Sequence, residues 1–127
     1  MKIVVDTNIV FSAVLNSDGL IGELLFNSES QLEFFSTEFM IEELTKYKAR
    51  IASMTTMSVE QVEISINQVL KKMTLIAPEA IAEKYWHEAF AITAGIDQDD
   101  SPFIAAALSL KASLWTGDKK LVRGLKS

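Results

Sequence analysis

The chain contains no cysteine and one histidine among its 127 residues. The absence of cysteine excludes disulfides and thiolate zinc sites, which fits the cytoplasmic location expected for this protein. The lone His87 shares a helix-like stretch with Tyr85 and Trp86. A general base needs an orienting partner, and none is legible near His87, so a catalytic role for it is not expected. No run approaches the ~20 apolar residues of a membrane span. Strand-like residues follow directly on Met1-Lys2, so a signal peptide is not expected either. Basic residues are also in deficit, with 12 Lys and Arg against 17 Asp and Glu and a net charge of −5. Bulk electrostatic coating of nucleic acid is therefore disfavoured.

The 49% apolar and 23% charged fractions are those of a soluble globular protein. The length suits a single domain, 1–127, with a core that needs no staples. No internal repeat, linker or low-complexity segment stands out. Charge is unevenly spread: residues 111–127 hold Lys111, Lys119, Lys120, Arg123 and Lys126 against Asp118 alone. Two readings fit this basic segment. It receives a phosphate backbone beside the acidic body, or it is a solvated, fraying helix.

Ile3-Val4-Val5 is a continuous β-branched run, the pattern of a strand buried on both faces. Thr7 or Asn8 can cap the next helix, which is apolar almost all round from Ile9 to Leu15. Asp18-Gly19 marks a turn and Leu20–Asn27 a second short helix. Leu32–Phe35 reads as a strand, and Ser36 is placed to cap a helix from about Thr37 to Arg50. After a loop with Met54 and Met57, Ser58 and Gln61 make a capping box. Val59, Val62, Ile66, Val69, Leu70 and Met73 then follow helical periodicity, and the methionines read as core filler. Thr74-Leu75-Ile76 is a short strand candidate. Pro78-Glu79 opens a helix that Gly95 ends. Leu114-Trp115-Thr116 enters the sheet, and Gly117 turns the backbone tightly before Asp118.

Carboxylates are placed where an open parallel sheet does its chemistry. Asp6 and Asp118 each follow a strand, at the carboxyl ends that face the crevice of an α/β fold. On the third helix, Met40, Leu44, Tyr47 and Ile51 form an apolar stripe at ~100° per residue. Glu42 falls roughly 170° from the centre of that stripe and Glu43 about 70° away. Glu43 can thus lean toward the sheet, or it can pair with Lys46 at the surface. Lys46 and Arg50 lie on the same flank. The stretch Asp97 to Asp100 supplies three acids before Ser101, a good N-cap, and Pro102, suited to the first helical position. Any one of these acids can be present only to favour the helix dipole.

Together they suggest more. Two carboxylates ~4 Å apart repel by about 4 kcal/mol at an effective dielectric near 20. Convergence of Asp6, Glu43, Asp100 and Asp118 would be costly unless they were protonated or a cation neutralised them. Oxygen donors without His or Cys point to Mg²⁺ or Mn²⁺, ions that activate water and stabilise charge on a phosphoryl group.

Asp6-Thr7-Asn8 after the first strand, Glu42-Glu43-Leu44 in a helix, DQDDSPFIAAAL and WTGDKKL together resemble a PIN domain. The likeness covers nearly the whole chain. D-T-N and E-E-L are weak singly, whereas D-x-D-D-x-P-F-x-A-x-A-L followed by W-T-G-D-K is specific. The resemblance implies a three-layer α/β/α fold around a four- to five-stranded parallel sheet. It also implies an Mg²⁺- or Mn²⁺-dependent ribonuclease, as in VapC-type toxins inhibited by a small antitoxin, and a homodimer. Carried over by motif, Asp6, Glu43, Asp100 and Asp118 would be the catalytic, metal-binding acids, assisted by Asp97 or Asp99. Asn8 and Thr116 would orient carboxylates or water.

Two departures stand out. Many members carry a further acid where this chain has Lys120, and the sequence after Asp118 leaves little room for a fifth strand. Lys46, Arg50, Lys119, Lys120 and Arg123 are the candidates for gripping RNA phosphate. A haloacid-dehalogenase-type phosphatase would want D-x-D after the first strand, which Asp6-Thr7-Asn8 lacks. A phosphorylation receiver domain would need acids that are not present. The remaining alternative is a PIN-like module that binds RNA or protein without cutting.

Overall fold

A computed structural model describes residues 2–15, 32–95 and 98–115. Four parallel strands, β1 (Lys2–Val5), β2 (Glu33–Thr37), β3 (Met73–Ile76) and β4 (Ser113–Trp115), form a sheet in the order β3-β2-β1-β4. Five α-helices accompany them among the described residues: α1 (Thr7–Leu15), α2 (Phe39–Ser53), α3 (Val59–Leu70), α4 (Glu83–Thr93) and α5 (Ser101–Leu110). The path β1 to β2 to β3 moves steadily across the sheet, and the return to β4 passes to the far side of β1. Right-handed crossovers therefore put the two sets of helices on opposite faces. The packing agrees: α1, α2 and α3 contact one another, and α4 packs on α5, which lies across β1, β2 and β4. This is the three-layer α/β/α arrangement that the PIN-domain resemblance implies.

Strand β1 is interior, with Val4 and Val5 fully buried, as its β-branched run implies. The small residues of α5 serve a related purpose. Ala105, Ala106 and Ala107 are buried with Phe103 and Ile104, so the helix lies close on the sheet. Phe34 of β2 and Trp115 of β4, on either side of β1, have ring centroids 6.4 Å apart.

Several boundaries differ from the sequence expectation, each for a local reason. Ser36 does not cap a helix. It belongs to β2, where its Oγ donates to the carbonyl of Val5 at 2.8 Å, and α2 begins at Phe39 with no side-chain cap. Met73 is not helical, because α3 ends at Leu70 and Met73 pairs with Phe34 in the sheet. The helix expected from Pro78 is interrupted. Pro78–Ala80 make one 3-10 turn, Ile81 and Ala82 are extended, and α4 starts at Glu83. Extended backbone lets Ile81 bury its side chain in the core. Gly95 does lie just past α4, with φ of +80°. Ser58 and Gln61 form the expected capping box, at 2.8 and 3.1 Å. The helix Leu20–Asn27 and any strand beyond Trp115 lie outside the described residues. Within them, no helix is long and apolar enough to cross a membrane.

Helix α5 closes with a left-handed residue that is not glycine. Lys111 has φ 54° and ψ 42°, and its N–H donates to Leu108 while Ala112 N–H donates to Ala107 at 2.9 Å. That is the pattern of a Schellman motif, in which glycine is usual. A side chain in this region costs about 1–2 kcal/mol, partly offset by the larger unfolded-state entropy of glycine. Lys111→Gly is accordingly expected to stabilise the fold by up to about 1 kcal/mol, read as a raised urea midpoint with unchanged slope.

Candidate active site at the carboxyl ends of the strands

The chain leaves β1 toward β2, while β4 lies against its other edge. Such a switch point opens a crevice at the carboxyl ends of the strands. Asp6 stands there. Its N–H donates to the Trp115 carbonyl at 3.2 Å, and its own carbonyl accepts from Val10 at 3.4 Å. Its Oδ1 accepts the N–H of Ile9 at 3.0 Å, so Asp6 is the N-cap of α1 and neither Thr7 nor Asn8 fills that role. The residue is 3% exposed. A buried carboxylate at a helix N-terminus is favoured by the orphan N–H groups and by the dipole.

Thr7, released from capping, does something that spacing did not reveal. Its hydroxyl donates to Glu43 Oε1 at 2.6 Å, across 36 residues of chain. Glu43 is half-buried whereas Glu42 is exposed, as the helical geometry of α2 requires. Met40, Leu44 and Ile51 seat α2 in the core, and Tyr47 meets Phe11 of α1 edge-on at 5.9 Å. These contacts hold the first turns of α1 and the flank of α2 together. The only sequence signal for Thr7 was its place directly after Asp6.

The third acidic region is a 3-10 turn, Gln98–Asp100, that runs into α5. Asp100 occupies the N-cap position in helical backbone conformation, and its side chain makes no capping hydrogen bond. Ser101, expected to be the cap, is instead the first helical residue and 1% exposed. Its hydroxyl lies 2.9 Å from that of Thr93, which donates to the Ala89 carbonyl at 3.0 Å. This buried pair ties the start of α5 to α4 and so sets where Asp100 stands.

Glu43, Asp99 and Asp100 line one cavity of about 460 Å³ together with Thr7, Asn8 and Arg50. The expected acids of the second and third motifs are thereby brought to one place. Phe11, Leu15, Tyr47, Ile51 and Met54 complete the wall. Met54 is not core filler. It ends α2 and is 64% exposed at this rim, whereas Met57 does pack against the core. Lys46 is exposed and its ammonium lies 5.5 Å from the Tyr47 ring centroid. His87 is exposed and 3.4 Å from Glu83 on α4. Asp97, Thr116, Asp118, Lys119, Lys120 and Arg123 lie outside the described residues.

The donor set of the cavity is carboxylate, hydroxyl and amide oxygen, the set that suits a hard divalent cation. Among the described residues, no group of three or more His, Cys, Asp or Glu side chains is arranged to hold a metal ion. The expected quartet includes Asp118, so the described acids are three of its four members.

A model of the PIN domain matches residues 4–127. The chain belongs to the PIN domain family. It is 26% identical over 132 residues to the uncharacterized protein MJ1680 of Methanocaldococcus jannaschii, covering 96% of this chain and 74% of the relative. Among solved structures, it is similar to a chain of VapBC2 from Rickettsia felis bound to a DNA fragment from their promoter. The TM-score is 0.73 and the identity 18%, over 97% of this chain and 92% of that one. A chain of VapBC-1 from nontypeable Haemophilus influenzae gives 0.71 and 19%, over 99% and 93%. PAE2754 from Pyrobaculum aerophilum gives 0.67 and 15%, over 98% and 79%. At these identities the likeness is one of fold, and this PIN domain shares its α/β architecture with them.

The capping role of Asp6 can be separated from its charge. Asp6→Asn retains an oxygen able to accept from Ile9, and Asp6→Ala does not. In EDTA the asparagine variant is expected to be more stable than the alanine variant by about 1 kcal/mol, measured by urea unfolding. Equal stability would show that the capping bond contributes nothing.

Proposed function

We propose that this PIN domain is a divalent-metal-dependent ribonuclease that hydrolyses RNA phosphodiesters, acting as the toxin component of a toxin–antitoxin pair. The observation that carries this reading is the meeting of Glu43, Asp99 and Asp100 on one cavity, whose wall also holds Thr7, the residue after the buried Asp6. Asp6, Glu43, Asp100 and Asp118 would hold Mg²⁺ or Mn²⁺. The ion, when bound, supplies activation of the attacking water and neutralises charge developing on the phosphoryl group.

The chain's own residues supply position and charge. Thr7 holds one oxygen of Glu43, and the Ser101–Thr93 pair holds the turn that carries Asp100. Asn8 and Asp99 stand on the wall, where they can orient a carboxylate or water. Arg50 is the basic residue among those described on that wall, and it is placed to meet a substrate phosphate. Lys119, Lys120 and Arg123 would extend that contact, with Thr116 supporting Asp118. Water attacks phosphorus and the P–O bond to the leaving nucleoside breaks, so no covalent enzyme intermediate is required.

The fold shared with chains of two VapBC structures supports a small antitoxin as partner. A homodimer belongs to the same proposal. A second reading keeps the fold and the cavity without the chemistry. On it, the PIN domain binds RNA or a protein partner without cutting.

Incubation of a mixed RNA panel with the purified protein decides between them. Cleavage is expected with Mn²⁺ or Mg²⁺, is abolished by EDTA, and falls roughly 100-fold or more in Asp100→Asn. Intact RNA with a well-folded protein that still binds the panel would favour the non-cutting module.

A further inference from the structure

Thr7 is the first residue of α1, and this position gives its hydroxyl an unusual freedom of partner. A threonine inside a helix commonly returns its proton to the carbonyl three or four residues earlier. At the first helical position no preceding turn exists, so the proton is available to another element. Thr7 gives it to Glu43 Oε1 at 2.6 Å, within the range of a hydroxyl donating to a charged carboxylate. The two residues have unequal mobility. Thr7 is 5% exposed and follows Asp6, which is tied to β4 through Trp115 and to α1 through Ile9. Glu43 reaches the same point from α2 on a side chain with three rotatable torsions. The rigid partner therefore sets the position of the flexible one.

We infer that Thr7 is a positioning residue for cation binding: its hydroxyl fixes Glu43 Oε1 and so sets the plane in which Oε2 is presented to the cavity. This rests on the proposed metal-dependent function and deepens it. Thr7 touches neither ion nor substrate in this role. It acts through Glu43, by removing the torsional freedom the carboxylate would otherwise lose on binding the ion. The same bond joins α1 to α2, so ion binding and the seating of α2 against α1 support each other. Serine, which keeps the hydroxyl, preserves the function. Valine, which keeps the shape and loses the donor, does not.

The test is Mn²⁺ affinity, measured by calorimetry on the whole chain, with unfolding in EDTA as a separate readout of the fold. Thr7→Val is expected to weaken Mn²⁺ binding by about 10-fold or more, as loss of a group that orients a ligand does. Thr7→Ser is expected to stay within about 3-fold of the parent. In a Glu43→Gln background, Thr7→Val is expected to add no further loss, because its effect passes through that carboxylate. Thr7→Ala gives the same comparison if the valine variant does not fold. Wild-type Mn²⁺ affinity in a folded Thr7→Val or Thr7→Ala would overturn the inference alone. So would an undiminished effect of the substitution in the Glu43→Gln background. Failure of the parent protein to bind Mn²⁺ would overturn the inference together with the metal-dependent function.

Discussion

Strand β1 is hydrogen-bonded along both edges, to β2 and to β4, and the geometry of the site depends on that double pairing. It holds the end of the strand so firmly that Asp6 can stop the sheet and start a helix within one residue. The backbone N–H of Asp6 still serves the sheet, its carbonyl already serves α1, and its side chain caps the helix. A carboxylate buried in this way needs several N–H groups or a cation to offset its desolvation. Everything after it in α1, including the direction of the Thr7 hydroxyl, inherits its placement.

The other two acids reach the crevice through quite different supports. Glu43 depends on the burial of Met40, Leu44 and Ile51, which fixes the rotation of α2 and leaves its flank toward α1. Asp100 depends on a polar contact inside the opposite layer, where Ser101 and Thr93 share a buried hydrogen bond. Three layers therefore each deliver one element: the sheet delivers Asp6, one helical layer Glu43, the other Asp100. Such a site is assembled only by folding, because Asp6, Glu43 and Asp100 lie far apart in sequence. The unfolded chain has no means to bring the carboxylates together against their mutual repulsion.

The wall of the cavity adds a second character to an acidic floor. Phe11 and Tyr47 meet edge-on, Leu15 and Met54 are exposed beside them, and Arg50 lies among these residues. An apolar, aromatic and cationic rim beside carboxylates can receive a base and a phosphate at once. That combination is consistent with the proposed RNA substrate; the described wall holds three carboxylates against Arg50, so the proposed cation would be what lets it receive a polyanion. Local charge at the rim, rather than net charge, governs how a polyanion is received.

The sequence by itself determined most of the strands and helices, and its resemblance to the PIN domain implied the three layers and singled out the motif acids as candidates. The 3.6-residue period reports helix burial directly, and the continuous β-branched run at Ile3 to Val5 reads as a buried strand. It also separated Glu43 from Glu42, since helix rotation follows from spacing alone. Only the tertiary structure decided which polar residues cap and which bind across the fold. Asp6, Asp100 and Ser101 occupy the helix starts in ways that propensity misassigned, and Ser36 turned from cap to strand. The physical reason is that a short hydroxyl or carboxylate can satisfy a local N–H or a distant group with similar energy. Neighbouring strands and helices make that choice. Thr7 and Glu43, 36 residues apart, are joined only by the packing of α1 on α2.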